Sequence, residues 1–226
     1  MAKTKTGLAA VITTGVAFLF IFIAFVTPCW LQTDGKLEKP KFQQLGLWEV
    51  CFNGFEDIRH WYDTKFVGCW WVFEEEYYII HDILLPGFFI ATQFFMTLSF
   101  TLLLIAGFLT AMYCCCSRYH DKYITLLFTI SADLLIAAVC ALTAVLIFGC
   151  YGDSRDWMPN WEHNDLSWSF ALAAIGSLLL FPAGALFLTE ARRARYRRLQ
   201  ETRDPSHGGS QQFNMDVRKG THSSDI

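Results

Sequence analysis

Four long stretches of this chain are almost free of charge. Residues 6–33, 83–117, 123–152 and 166–189 hold one charged side chain between them, Asp133. A bilayer core about 30 Å thick requires roughly 20 apolar residues of helix, and Leu8–Val26, Gly87–Tyr113, Tyr123–Gly149 and Ser167–Thr189 each reach that length. Lipid cannot satisfy exposed backbone amides, so a span must be a helix or part of a closed barrel. Barrel strands alternate polar and apolar residues. A run such as Phe100-Thr101-Leu102-Leu103-Leu104-Ile105-Ala106-Gly107 does not, which leaves helices. The whole chain is 54% hydrophobic and 17% charged, against about 25% charged in an ordinary soluble domain. Collagen, a disordered chain and a water-soluble enzyme core are excluded.

The first span follows Lys3 and Lys5, as the apolar region of a secretory signal does. A cleaved signal has an apolar run of about 7–15 residues and a small-residue cleavage site. This run is longer and ends in Val26-Thr27-Pro28-Cys29-Trp30, so it reads as an uncleaved span. Twelve of the 18 Lys and Arg residues lie in the N-terminus, the 114–122 loop and the segment from residue 190. Basic residues accumulate on the cytoplasmic side, so both termini are expected there. The expected organisation is a cytoplasmic N-terminus (1–7), spans at 8–26, 87–113, 123–149 and 167–189, outer loops at 27–86 and 150–166, an inner loop at 114–122, and a largely disordered cytoplasmic tail at 190–226.

The first outer loop is too aromatic for a plain linker, with Trp30, Trp48, Trp61, Trp70 and Trp71. Residues 46–52 and 65–73 read as strands, rich in aromatic and branched side chains. Asn53-Gly54 and Asp63-Thr64 supply turn chemistry between them. Residues 77–85 read as a short helix before Pro86. Of eight cysteines, Cys51 and Cys69 stand well inside this loop, on the oxidising side where disulfides persist. A bridge between them would be worth about 3 kcal/mol by loop-closure entropy. Two free thiols are the alternative; a zinc site with His60 or His81 lacks recognisable ligand spacing.

Trp30, then Gly46-Leu47-Trp48-x-x-Cys51 and a later Cys69, in the first outer loop of a four-span chain, resembles the claudin superfamily. That group includes the claudins, peripheral myelin and epithelial membrane proteins, and calcium-channel gamma subunits. The resemblance spans roughly residues 1–200. It implies a membrane α-helical fold: a four-transmembrane, left-handed bundle capped by a small extracellular antiparallel β-sheet of five strands, the fifth from the second outer loop. Two departures point away from vertebrate tight-junction members. Cys51 and Cys69 are more widely spaced than in those proteins, and His81-Asp82 stands near the place where they usually carry an Arg. Residues 85–93 look more like the claudin-like proteins of arthropod septate junctions.

Several residues carry further expectations. Cys114, Cys115 and Cys116 follow the second span on the inner side, where juxtamembrane cysteines are acylated; unmodified thiols are the alternative. Cys29, Cys140 and Cys150 read as small apolar packing residues. Asp133 is an acid inside a span with no second acid, base or His to form a relay, so it should face the bundle near Ser131, Thr129 or Gln93. Arg192, Arg193, Arg195, Arg197 and Arg198 form a cluster that suits anionic lipid at the inner surface and equally a stop-transfer anchor. The final Ser224-Asp225-Ile226 suits a PDZ groove, where a terminal strand is added and its carboxylate captured. Glu74, Glu75 and Glu76 could bias ion passage toward cations if they line a narrow gap; the bland reading is a solvated face.

No catalytic, cofactor or metal set emerges, and nucleic-acid binding is disfavoured by location. The expected function is a junctional tetraspan at the lateral plasma membrane of an epithelium, contributing to junction assembly and the paracellular barrier. Expected partners are like proteins in cis and trans, as homo- or hetero-oligomers, a PDZ scaffold and membrane lipid. The alternative is an auxiliary subunit that binds and traffics a channel or receptor. A gap-junction pore would need more bridging cysteines in both outer loops.

Overall fold

The computed structural model describes residues 4–56, 65–115, 122–152 and 157–203. Four long helices in it are apolar enough to cross a bilayer: α1 (Lys5–Val26), α3 (Gly87–Cys115), α4 (Tyr123–Tyr151) and α5 (Trp168–Arg203). A five-stranded antiparallel sheet sits at one end, hereafter the sheet end. Its strands are β1 (Leu31–Thr33), β2 (Phe42–Leu45), β3 (Glu49–Phe55), β4 (Phe66–Trp71) and β5 (Asn164–Leu166), in the order β4-β3-β2-β1-β5. A 3₁₀ turn (Glu75–Ile80) and the short α2 (His81–Leu84) connect β4 to α3.

Small residues set the helix packing. The buried positions of α1 are Gly7, Ala10, Thr14, Ala17, Ile21 and Ala24, a repeat of three and four that forms one narrow seam. In lipid no hydrophobic effect drives helices together, so close backbone approach and hydrogen bonds between spans do that work. The α1 seam lies along α5, α4 packs on both α3 and α5, and α1 meets α3 only lightly. Ser99 on α3 donates to the Ala137 carbonyl of α4 at 2.8 Å, and Ser131 on α4 donates to the Gly184 carbonyl of α5 at 2.8 Å. Thr27 and Ser169 share a 2.7 Å hydroxyl pair where α1 and α5 reach the sheet.

Several elements depart from the sequence expectation. The strand expected over 46–52 begins only at Glu49, leaving Gly46, Leu47 and Trp48 as a corner. Asn53-Gly54 is not a turn: both residues lie inside β3, where the register with β4 shifts between Asn53 and Phe55. Gly54 has φ +77°. A left-handed glycine in a strand creates a bulge that bends the ladder without reversing it. The other expected turn, Asp63-Thr64, is outside the described residues. At the opposite end α5 does not stop at Thr189 but runs through Arg203. Residues 190–203 are mostly Arg, Ala, Leu, Glu and Gln, all good helix formers, with no Gly or Pro to interrupt them. The residues beyond Arg203, including Ser224, Asp225 and Ile226, are outside the described set.

Candidate functional site

The junction between bundle and sheet is built around Trp30. Its side chain is fully buried, and its indole Nε1 donates to the Ala24 carbonyl at 2.7 Å. Its ring meets Phe148 of α4 and Phe170 of α5 edge-on, at 5.0 and 5.8 Å between centroids. Its backbone N–H donates to the Leu45 carbonyl, and its own carbonyl accepts from the Ser167 N–H. One residue therefore ties three spans to strands from both loops.

The Gly46-Leu47-Trp48 run explains itself in the same place. A Cβ on Gly46 would come within 2.5 Å of Pro28 Cα and 2.7 Å of the Thr27 carbonyl oxygen, so only glycine lets the β2–β3 corner lie on the end of α1. Leu47 is buried, and its carbonyl accepts a 2.6 Å bond from Gln93 Nε2 on α3. Trp48 packs edge-on against Phe25 of α1 at 5.3 Å. Leu47 thus fixes the sheet to α3, and Trp48 to α1.

Cys51 and Cys69 face each other across β3 and β4 and are joined by a disulfide. Gln44 on β2 donates to Cys51 Sγ at 3.4 Å, extending the tie across a third strand. Glu49 lies close to the two sulfurs, but both are spent in the disulfide, so the trio is no metal site. β4 is an edge strand. Val67, Trp70 and Trp71 on it are exposed, as is Phe73 just beyond. Next to Phe73 an open cleft of about 560 Å³ is lined by Val72, Phe73, Glu74, Glu75, Tyr77 and His81. Glu74 and Glu75 are exposed there; the Glu76 side chain is outside the described set.

The second loop is stitched into the same body. β5 pairs along the whole of β1. Asp34, just after β1, accepts from His163 Nδ1 at 3.0 Å and from the Lys36 N–H at 3.0 Å, while its own N–H donates to the His163 carbonyl. The Lys36 backbone N–H, then the His163 ring, hold the Asp34 carboxyl down at about 2, below its ordinary 3.8. Trp157 donates to the Ile83 carbonyl of α2 at 3.0 Å and packs against Phe88, Phe89 and Phe148. Both loops therefore present one surface.

The other sequence candidates scatter. Cys114 and Cys115 are exposed at the end of α3, far from the sheet, and Cys116 is outside the described residues. Cys140 is buried and Cys29 partly so, as expected of packing residues, whereas Cys150 is exposed. Asp133 does not find its expected neighbours. Ser131 donates to Gly184, Thr129 to the Thr125 carbonyl of its own helix, and Gln93 to Leu47. Asp133 is partly buried, and its Oδ2 has no hydrogen-bond partner among the described residues. Four residues carry weight that sequence reasoning missed: Gln93, Trp157, His163 and Glu190. Gln93 was visible as the lone amide within a span, and its bond to Leu47 joins the family motif to α3. Glu190 is buried at the arginine-rich end, with Arg197 3.9 Å away.

Four membrane helices under a disulfide-braced, five-stranded sheet drawn from both loops define a tetraspan membrane protein with one composite head. The family model for PMP-22/EMP/MP20/claudin tight-junction proteins matches residues 15–189. The chain belongs to that family. No match is found among curated proteins.

Proposed function

We propose that this chain is a claudin-like component of an epithelial occluding junction, septate in type, which assembles in cis and trans and contributes to the paracellular barrier. The observation that carries this reading is the fusion of both loops into one head through β1–β5 pairing, with Val67 and Trp70 left exposed along edge strand β4. Exposed apolar patches rimmed by polar residues mark interaction surfaces. Both termini lie in the cytoplasm, as the basic-residue bias supports. The Cys114–Cys116 run is acylated there, and the terminal Ser224-Asp225-Ile226 binds a PDZ scaffold.

Mixed culture of expressing and non-expressing epithelial cells tests the reading. The protein should concentrate where two expressing cells touch and stay diffuse at free edges. Diffuse distribution at every border, with co-purification of one stoichiometric channel or receptor, would favour the auxiliary-subunit reading instead.

A further inference from the structure

We infer that the Trp71–Phe73 corner at the end of β4 is embedded in the bilayer surface at the sheet end, so that lipid is the partner of this exposed aromatic patch. The inference goes beyond the junctional reading and does not depend on it.

The depth of this corner can be read from the spans. Arg193 on α5 donates to Thr6 at the start of α1, marking the arginine-rich surface. A helix rises 1.5 Å per residue, and the hydrocarbon is about 30 Å thick, so α1 reaches the other surface near Phe25. The same count along α3 from Tyr113, which faces Tyr123 at that arginine-rich end, reaches Gln93. The Gln93–Leu47 bond then puts the β2–β3 corner at the hydrocarbon boundary.

From there a continuous file of rings leads outward. Phe25 stacks on Phe100 of α3 at 4.5 Å, below the boundary. Trp48 packs on Phe25 at 5.3 Å, Phe73 lies 6.3 Å from Trp48, and Trp71 meets Phe73 edge-on at 5.4 Å. β3 leaves the corner at Glu49 and β4 returns antiparallel to it, pairing Trp71 with Glu49. Trp71 is therefore at the membrane-proximal end of its strand, level with the corner. Trp71 is 55% exposed and Phe73 48% exposed, although both continue a file that begins at Phe100, whose ring also meets the exposed Phe22 of α1. Tryptophan and other amphipathic rings gather at the level of the headgroups. The bilayer surface is the occupant that this continuity selects. Val67 lies at the far end of β4, and Trp161 precedes β5 at its end away from α5; both are exposed.

The full-length protein, labelled with fluorotryptophan and reconstituted in phosphatidylcholine nanodiscs, tests this. Trp71→Phe assigns the Trp71 fluorine resonance and Trp161→Phe that of a reference ring on the second loop. Lipid spin-labelled near its headgroup should cause loss of the Trp71 resonance and spare Trp161; a soluble gadolinium chelate should do the reverse. Phe73→Ser should reduce the loss caused by lipid. If the chelate removes the Trp71 signal and the lipid label does not, the inference is overturned. Shielding of Trp71 from both reagents would also overturn it, in favour of contact with a second copy.

Discussion

The indole of Trp30 bonds back to the carbonyl of Ala24, six residues earlier, across the point where the first span becomes the first strand. The bond satisfies a carbonyl at the end of α1 that has no partner within the helix. It also fixes the direction in which the chain leaves the bundle.

Trp30→Phe keeps the edge-on ring contacts with Phe148 and Phe170 but loses the Nε1 donor, which should cost about 1 kcal/mol. Trp30→Ala removes those contacts as well and should cost about 3–5 kcal/mol. Thermal unfolding of the detergent-solubilised protein should rank wild type above Phe and Phe well above Ala. Equal loss from both variants would mean that the hydrogen bond, not the packing, dominates.

Gly46→Ala places a methyl against the Pro28 backbone, and overpacking of this kind costs about 1–3 kcal/mol. The strain falls where β2 and β3 rest on α1, so the sheet should loosen while the spans stay inserted. Surface delivery should drop, and Cys51 and Cys69 should become easier to reduce and alkylate at the surface. Normal delivery with unchanged reducibility would contradict the close approach at Gly46.

Trp30 at a span's end and the cysteine pair on the oxidising side were legible in the sequence, but the corner was not: Gly46, Leu47 and Trp48 read as part of a strand and were marked only by the family resemblance, whereas β3 begins at Glu49. The spans were legible because lipid permits so few solutions. What stayed hidden depended on distant partners. Nothing near Asp34 announces His163, and nothing near Trp157 announces Ile83, since these pairs meet only when the second loop folds onto the first. Asn53-Gly54 misled because a positive-φ glycine serves a bulge as well as a turn. Asp133 misled because the hydroxyls of Ser131 and Thr129 donate to backbone carbonyls instead.

The Asp34–His163 link gives a pH prediction with a definite sign. The folded-state value of Asp34 lies below its ordinary one. Its contribution is therefore fully present above about pH 4 and lost as pH falls through about 2. Amide exchange across Asn164–Leu166 should be insensitive to Asp34 titration from neutral pH down to about 4 and should accelerate below that. Asp34→Asn should remove the acid step and raise exchange at neutral pH. An unchanged exchange profile in that variant would show that β1–β5 pairing alone holds the second loop.

Charge at the cleft gives a functional prediction. Glu74, Glu75 and Glu76 changed together to Gln should lower the sodium-to-chloride permeability ratio of an expressing epithelial layer. Exposed charges act only over about 8 Å at physiological salt, so the effect should grow as ionic strength falls. An unchanged ratio with normal junctional localisation would favour a plain seal or an assembly role over selectivity.

The most direct test of the junctional account is paracellular tracer flux, with electrical resistance, across a polarised epithelium from which this protein has been removed. The account predicts higher flux and lower resistance, restored by the wild-type chain and not by Trp30→Ala, whose head has lost its ring contacts with α4 and α5. Unchanged flux and resistance after removal, with the protein absent from lateral contacts beforehand, would contradict it.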